Sequence, residues 1–159
     1  AGMFKGGLAD AGEKNVRYHT ATHLLHQALK IVLGENVNQK GSNITAERLR
    51  FDFAWPEKMT KEQIEKTEEI VNGKIKENLS VTLAEMDLGD ARLSGAIGLF
   101  GHKYETKVKV YTVGENEKYF SKEICMGPHA VSTGELGRFK IIKEEAVSAG
   151  VRRIKAILE

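Results

Sequence analysis

The stretch Arg48-Leu49-Arg50-Phe51-Asp52-Phe53 alternates polar and apolar residues along its whole length. Because successive side chains of a β-strand point to opposite faces, this pattern predicts a strand with one buried face. We expect two neighbouring strands here, at residues 37–44 and 47–54. This pair is the point from which the rest of the fold can be predicted.

A helix is predicted on either side of the strand pair. The first covers residues 16–33, and Gly34 supplies a stop signal after it. The second begins after Thr60, which forms a capping box with Gln63, and ends near residue 79.

The first helix has an apolar face that follows the helical period, and histidines on its other side. The apolar face comprises Ala21, Leu24, Leu25, Ala28, Ile31 and Val32. His19, His23 and His26 fall on the opposite side, so we expect them to line a different surface.

The remainder of the chain contains mainly short strands. Strands are predicted at 81–86, 108–113, 118–124, 137–144 and 150–158, with a short helix at 88–94. Because the strands do not alternate regularly with helices, we predict an α+β domain. In it an antiparallel sheet packs with two long helices, one of them carrying a His-x-x-x-His motif. Residues 15–159 form this domain, and the glycine-rich residues 1–14 are a flexible tail, a linker or a cloning remnant.

Composition excludes several classes of protein. A length of 159 residues suits one domain, and a net charge of +2 does not indicate a strongly basic nucleic-acid binder. There is no apolar run long enough to span a bilayer and no secretory signal segment. The single cysteine cannot form an intrachain disulfide, so we expect a cytoplasmic protein with no membrane partner.

Two short motifs about a hundred residues apart carry the chemistry. They are His19-Thr-Ala-Thr-His23 and Cys125-Met-Gly-Pro-His129. Each places two good metal ligands four residues apart, and together they supply three imidazoles and one thiolate, a full tetrahedral set for Zn²⁺. Gly127 and Pro128 favour a tight loop that brings His129 back towards Cys125. Other residues that could replace one of these ligands are Asp10, His26 and His102.

The motif on the helix is not that of a zinc peptidase. That class needs a glutamate between the two histidines, where this chain has only Thr and Ala. Four protein ligands suggest a closed structural site, whereas catalytic zinc keeps a position for water. The sequence leaves open whether the zinc would activate water or only bind and orient a substrate.

Several blocks of sequence, in order and at family-like spacing, resemble the editing domain of alanyl-tRNA synthetases and their free-standing AlaX relatives. The resemblance covers residues 15–158 and includes, besides the two motifs, Gln39-Lys40-Gly41-Ser42, Leu99-Phe100-Gly101-His102, Thr133-Gly134-Glu135-Leu136-Gly137 and Gly150-Val151-Arg152-Arg153.

The resemblance implies hydrolysis of mischarged tRNA, removing serine and often glycine from the tRNA specific for alanine. The partner is then the aminoacylated acceptor end of the tRNA, and the chain is a fragment of a synthetase or a free-standing protein. By position, the zinc-binding motif of the family falls on His19, His23, Cys125 and His129. Gln39 matches a glutamine of the family's editing pocket, and Thr22, beside the second histidine, would fall near the substrate; these two are the predicted catalytic residues.

One departure from the family keeps alternatives open. The family usually has Cys-Gly-Gly-Thr-His, whereas this chain ends the motif in Gly127-Pro128-His129, as in the related editing domain of bacterial threonyl-tRNA synthetases. Removal of serine from the threonine tRNA is therefore an alternative. A non-catalytic zinc and tRNA-binding module is a second, and an unrelated metallohydrolase of small esters is a third.

Overall fold

The computed structural model describes residues 13–98, 107–115, 117–125 and 127–159. The described helices are α1 (Glu13–Leu33), α2 (Lys61–Lys76) and α3 (Leu88–Leu93), with a 3-10 turn at Thr133–Leu136. The described strands are β1 (Gln39–Ile44), β2 (Leu49–Ala54), β3 (Val81–Asp87), β4 (Lys107–Gly114), β5 (Tyr119–Ile124), β6 (Phe139–Ser148) and β7 (Val151–Leu158).

These strands form two antiparallel sheets. One has the order β1-β2-β7-β6 and the other β3-β4-β5. The predicted α+β class, with antiparallel strands and two long helices, is confirmed. The division of the strands between two sheets was not predicted, because it depends on pairing between strands that are distant in sequence.

The alternating stretch of β2 divides its side chains between the two faces of the larger sheet. Leu49, Phe51 and Phe53 are all fully buried against the helices. Asp52 lies on the other face, where it accepts two hydrogen bonds from Arg153 of β7, at 2.8 and 3.1 Å. The apolar half of the pattern thus forms core, and its acidic residue is paired with the neighbouring strand.

Helix α1 is buried or half-buried at every position from residue 15 to residue 30. It packs against α2, against β1 and β2, and against β5. His23 and His26, opposite the predicted apolar face, are only 6% and 4% exposed. The prediction that Ile31 belongs to the core was wrong, since this residue is 54% exposed. Leu33, two residues further on, still packs against the core, so the exposed side chain lies on one side of the helix end only.

Helix α2 has the predicted start and an earlier end. Thr60 accepts a hydrogen bond from the Gln63 backbone, and the Gln63 side chain accepts one from the Thr60 backbone, which confirms the capping box. The helix ends at Lys76 rather than near residue 79, because Asn78 adopts a left-handed backbone with φ of 51°. The Leu79 amide then donates to the Thr133 hydroxyl at 2.8 Å, which ties the end of α2 to the 3-10 turn.

The smaller sheet joins the rest of the domain through β5 and through residues of β3 and β4 that belong to the main core, and it also has a minor core of its own. β5 packs against α1, and Val108, Val110 and Ile124 form a second buried cluster with Ala91 of α3. The end of β5 is thereby held beside the first half of α1. Among the described helices, none combines the length and the apolar character needed to cross a bilayer.

Candidate metal centre

The two predicted motifs meet where β5 ends beside α1. His19 and His23 lie one turn apart on α1, and Cys125 directly follows the last residue of β5. The Cys125 amide donates to the Lys109 carbonyl at 3.0 Å, so the pairing with β4 continues into the loop. His129 returns from this loop, and one donor atom from each of the four side chains lies within 4.8 Å of the others.

The spacing of these donor atoms suits a small tetrahedral ion. Nδ1 of His19 lies 3.0 Å from Nε2 of His129, and the Cys125 sulfur lies 3.8 and 3.7 Å from the two ring nitrogens of His19. A tetrahedral zinc with Zn–N bonds of about 2.0–2.1 Å and Zn–S bonds of about 2.3 Å separates its ligand atoms by roughly 3.3–3.6 Å. The measured separations lie just below and just above this range, so the cluster is close to the size of a zinc coordination sphere.

The imidazoles are packed around a common point. The ring centroid of His129 lies 4.5 Å from that of His19 and 4.3 Å from that of His23. Nδ1 of His23 is buried and has no hydrogen-bond partner among the described residues. Such an unpaired buried polar atom is costly in a folded protein. Coordination of a metal through this nitrogen would relieve that cost, and three imidazoles with one thiol are a donor set that fits a metal ion.

The surroundings keep the histidines neutral. Burial, followed by the nearby His23, lowers the pKa of His19 to about 3. Burial also lowers the pKa of His23 and brings the pKa of His129 well below its usual value. Neutral imidazole is the form that coordinates metals. The cluster is therefore a set of ligands and not a cluster of positive charges.

A buried carboxylate lies beside the cluster. Burial alone would raise the pKa of Glu123, but His23, His26 and a hydrogen bond from Ser121 lower it to about 2. One oxygen of Glu123 lies 3.6 Å from Nδ1 of His26. The ionised Glu123 therefore brings a negative charge close to the place where a cation would bind.

The predicted substitute ligands lie elsewhere or outside the described residues. His26 is one turn beyond His23 and contacts Glu123, while its Nε2 lies 3.4 Å from the Val37 carbonyl. It is therefore placed apart from the four clustered side chains. Asp10 and His102 lie in segments that the structure does not describe.

The two predicted catalytic residues have different environments. Thr22 is 7% exposed, and its hydroxyl donates to the Tyr18 carbonyl at 2.9 Å. Gln39 is half-buried at the first residue of β1, and its amide donates to the Ser42 hydroxyl at 3.2 Å. Thr22 immediately precedes His23 of the cluster. Their catalytic roles stay predictions.

Three neighbours of the cluster were not predicted from the sequence. The Thr20 hydroxyl lies 3.1 Å from Nδ1 of His129, and the Tyr111 ring centroid lies 4.1 Å from that of His129. The third is Glu123. The strand period was a usable signal for Glu123, because residues two apart on a strand share a face and Cys125 follows two positions later. No pattern in the neighbouring sequence indicates the contacts of Thr20 and Tyr111 with His129.

Part of the sequence matches a known protein family. Residues 108–155, from β4 through most of β7, match the family described as the threonyl and alanyl tRNA synthetase second additional domain. The matched segment contains Cys125 and His129, and α1 with the other two clustered residues precedes it.

Individual relatives extend the similarity to the whole chain. This chain is 58% identical over 157 residues to the alanine–tRNA ligase of Treponema denticola, and the match covers 99% of this chain and 26% of the relative. For the enzyme of Treponema pallidum the identity is 57% over 157 residues, again 99% of this chain and 25% of the relative. For that of Haemophilus influenzae it is 52% over 139 residues, 87% of this chain and 15% of the relative.

The predicted resemblance to the alanyl-tRNA synthetase family is confirmed by these matches. The chain spans about a quarter of the length of the two Treponema relatives. It is thus similar to one segment of alanine–tRNA ligases.

Proposed function

We propose that this chain is an editing domain that hydrolyses seryl-tRNA, and also glycyl-tRNA, formed on the tRNA specific for alanine. The observation that carries the proposal is the cluster of three imidazoles and one thiol, within 4.8 Å of one another. It occurs in a chain similar over 99% of its length to a segment of alanine–tRNA ligases.

The four clustered side chains would hold Zn²⁺. When bound, zinc supplies a Lewis acid that can bind the amino or hydroxyl group of the aminoacyl moiety, polarise its carbonyl or acidify a water. The thiolate and the three neutral imidazoles would fix its position between α1 and the end of β5. This donor set favours zinc over magnesium or calcium.

Thr22 and Gln39 would orient the substrate or the attacking water. The Thr22 hydroxyl donates to its own helix and keeps lone pairs with which it can accept a hydrogen bond. The Gln39 amide has both donor and acceptor atoms. Neither is a strong base, so their contribution would be positioning and not proton abstraction.

A polar site is suited to this discrimination. Serine differs from alanine by one hydroxyl, and a site that hydrogen-bonds a hydroxyl rejects the analogue lacking it far better than an apolar slot does. Alanine would be disfavoured relative to serine because it lacks that hydroxyl, and relative to glycine because it carries an additional methyl group. The partner would be the acceptor end of the tRNA, met in the cytoplasm and in the covalent context of a larger synthetase.

The test is single-turnover deacylation with the chain in excess over seryl-tRNA and alanyl-tRNA on the alanine tRNA, with zinc determined on the same sample. We expect rapid loss of serine, slow loss of alanine and about one zinc per chain. Thr22→Val and Gln39→Ala should keep zinc and lose hydrolysis. A zinc-loaded chain that leaves the seryl ester intact would identify a binding module instead.

A second candidate is removal of serine from the threonine tRNA. It is favoured by the Gly127-Pro128-His129 ending of the second motif and by a family description that includes threonyl-tRNA synthetases. Seryl esters on the two tRNAs, compared at equal concentration, distinguish the candidates. Hydrolysis of a small seryl ester at the same rate without any tRNA would contradict both.

A further inference from the structure

Thr20 lies between the two clustered histidines of α1 in sequence, but its hydroxyl faces the loop that carries His129. The residue is fully buried. Its Oγ1 atom lies 2.9 Å from the Ala130 amide, 3.1 Å from Nδ1 of His129 and 3.3 Å from the Val16 carbonyl. One side chain therefore contacts both the ring of a clustered histidine and the backbone of the next residue.

The directions of two of these hydrogen bonds follow from the groups involved. The Ala130 amide can only donate, so Oγ1 accepts from it. The Val16 carbonyl can only accept, so it takes the single hydroxyl proton. Oγ1 then has one lone pair left, which faces Nδ1 of His129 and suits an Nδ1–H donor.

The other nitrogen of the same ring points into the cluster. Nε2 of His129 lies 3.0 Å from Nδ1 of His19. A neutral imidazole carries its hydrogen on one nitrogen and a lone pair on the other. With the hydrogen on Nδ1, the lone pair is on Nε2, directed at the place where a metal would bind.

We propose that Thr20 is a positioning residue for the metal centre, fixing both the tautomer and the ring orientation of His129. It binds the ring through Nδ1 and anchors the loop through the Ala130 amide. Metal-binding histidines generally need such a partner on the second nitrogen. This inference rests on the metal site of the proposed function and adds a residue to it.

The chain offers a matched control for the test. Thr67 of α2 is also fully buried, and its hydroxyl donates to the carbonyl four residues earlier, that of Gln63, at 2.8 Å. Thr20 and Thr67 are thus both buried helical threonines with a bond to their own helix. Thr20 differs by its contacts with His129 and Ala130.

The experiment measures zinc affinity by competition with a chromophoric chelator for wild type, Thr20→Val, Thr20→Ser and Thr67→Val. Loss of such a partner typically weakens metal binding about 10–100-fold, which is the effect expected for Thr20→Val. Thr20→Ser keeps the hydroxyl and should retain most of the zinc affinity, and Thr67→Val should leave the zinc affinity unchanged. With Co²⁺ as probe, the visible ligand-field bands should change only in Thr20→Val.

Two results would overturn the inference in distinguishable ways. If Thr20→Val binds zinc as tightly as wild type, the positioning role fails while the metal centre stands. If wild type itself takes up no zinc, the metal centre fails and the role of Thr20 fails with it. Circular dichroism of the metal-free variants checks that each is folded, and equal loss of affinity in Thr20→Val and Thr67→Val would indicate a general packing effect.

Discussion

At the scale of the residue, Arg152 and Arg153 are neighbours in β7 with contrasting partners. Arg152 donates two hydrogen bonds to Glu144, at 2.7 and 2.8 Å, and the Glu144 side chain is only 2% exposed. Arg153 pairs with Asp52, whose side chain is 10% exposed and lies 3.6 Å from a second cation, Arg50. The structure thus gives both arginines a place in ion pairs of the larger sheet.

We expect these two pairs to differ in their contribution to stability. Arg152→Met leaves Glu144 buried without its cation and should lower the free energy of unfolding by about 3 kcal/mol. Arg153→Met should cost clearly less, because Asp52 keeps Arg50 and is nearer to solvent. Urea denaturation of both variants at neutral pH measures the difference. Equal losses would contradict this account of the two pairs.

His23 and His26 allow a second test at the same scale. Both are buried histidines of α1, but only His23 belongs to the cluster of four. His23→Gln should therefore reduce zinc affinity by more than the roughly 10–100-fold typical of an outer-shell partner. His26→Gln should retain about one zinc per chain, since a tetrahedral site needs only its four ligands. Stoichiometric tight zinc in His23→Gln would rule out the site as described.

At the scale of the element, two glycines occupy similar space but different backbone conformations. A Cβ added at either Gly73, within α2, or Gly150, in the turn between β6 and β7, would meet no atom within 4 Å. Gly150 has a φ of +75°, a left-handed conformation that L-residues adopt at a cost. Gly73 is an ordinary helical residue, for which alanine has the higher propensity.

Alanine at these two positions should therefore act in opposite directions. Gly73→Ala should raise the free energy of unfolding by about 0.5–1 kcal/mol. Gly150→Ala should lower it by about 1 kcal/mol through strain in the turn. Thermal and urea unfolding of the two variants measure these changes. A change in the free energy of unfolding with the same sign in both variants would be inconsistent with a conformational cause.

The elements themselves were largely predictable, because their signals are local. The capping box of Thr60 and Gln63 lies within one turn of α2, and the alternation of β2 follows from its own residues. Ile31 shows the limit of such reasoning: the helical period places it on the apolar face, but burial depends on whether a partner is packed there. The two-sheet division likewise depends on distant pairings, such as that of Phe51 with Ile154.

The candidate site was predictable in its ligand types and not in its supporting contacts. Pairs of His and Cys four residues apart are visible in the sequence, and the structure brings the four together. The contact between Thr20 and His129 joins residues 109 positions apart, so no local pattern could indicate it. Gln39 and Thr22 are indicated by the family resemblance alone, and the deacylation kinetics of their variants test their roles.

At the scale of the whole molecule, a metal in the cluster would add a link between two parts of the domain that already meet in the main core, for example through Tyr111 and Val113. His19 and His23 belong to α1 in the main core, and Cys125 and His129 follow β5 of the smaller sheet. The four ligands would thus join the two sheets through the first half of α1.

Zinc should therefore stabilise the folded state as a whole. A ligand that binds only the folded protein at about 1,000 times its Kd adds roughly 4 kcal/mol to the free energy of unfolding. We expect a higher unfolding temperature with zinc and a lower one after EDTA treatment, measured by calorimetry. Cys125→Ser is the control and should not respond to either; an equal response in this variant would place the stabilising metal elsewhere.

The position of β7 has a consequence for the chain while it is being made. β7 is the last described strand in chain order, yet it lies between β2 and β6. The β2 residue Asp52 meets its partner Arg153 from 101 positions further along. A ribosome therefore releases the β1–β2 hairpin long before the strand that covers its edge. During that interval the edge of β2 is open to other strands, so nascent chains stalled before residue 151 should aggregate or recruit chaperones.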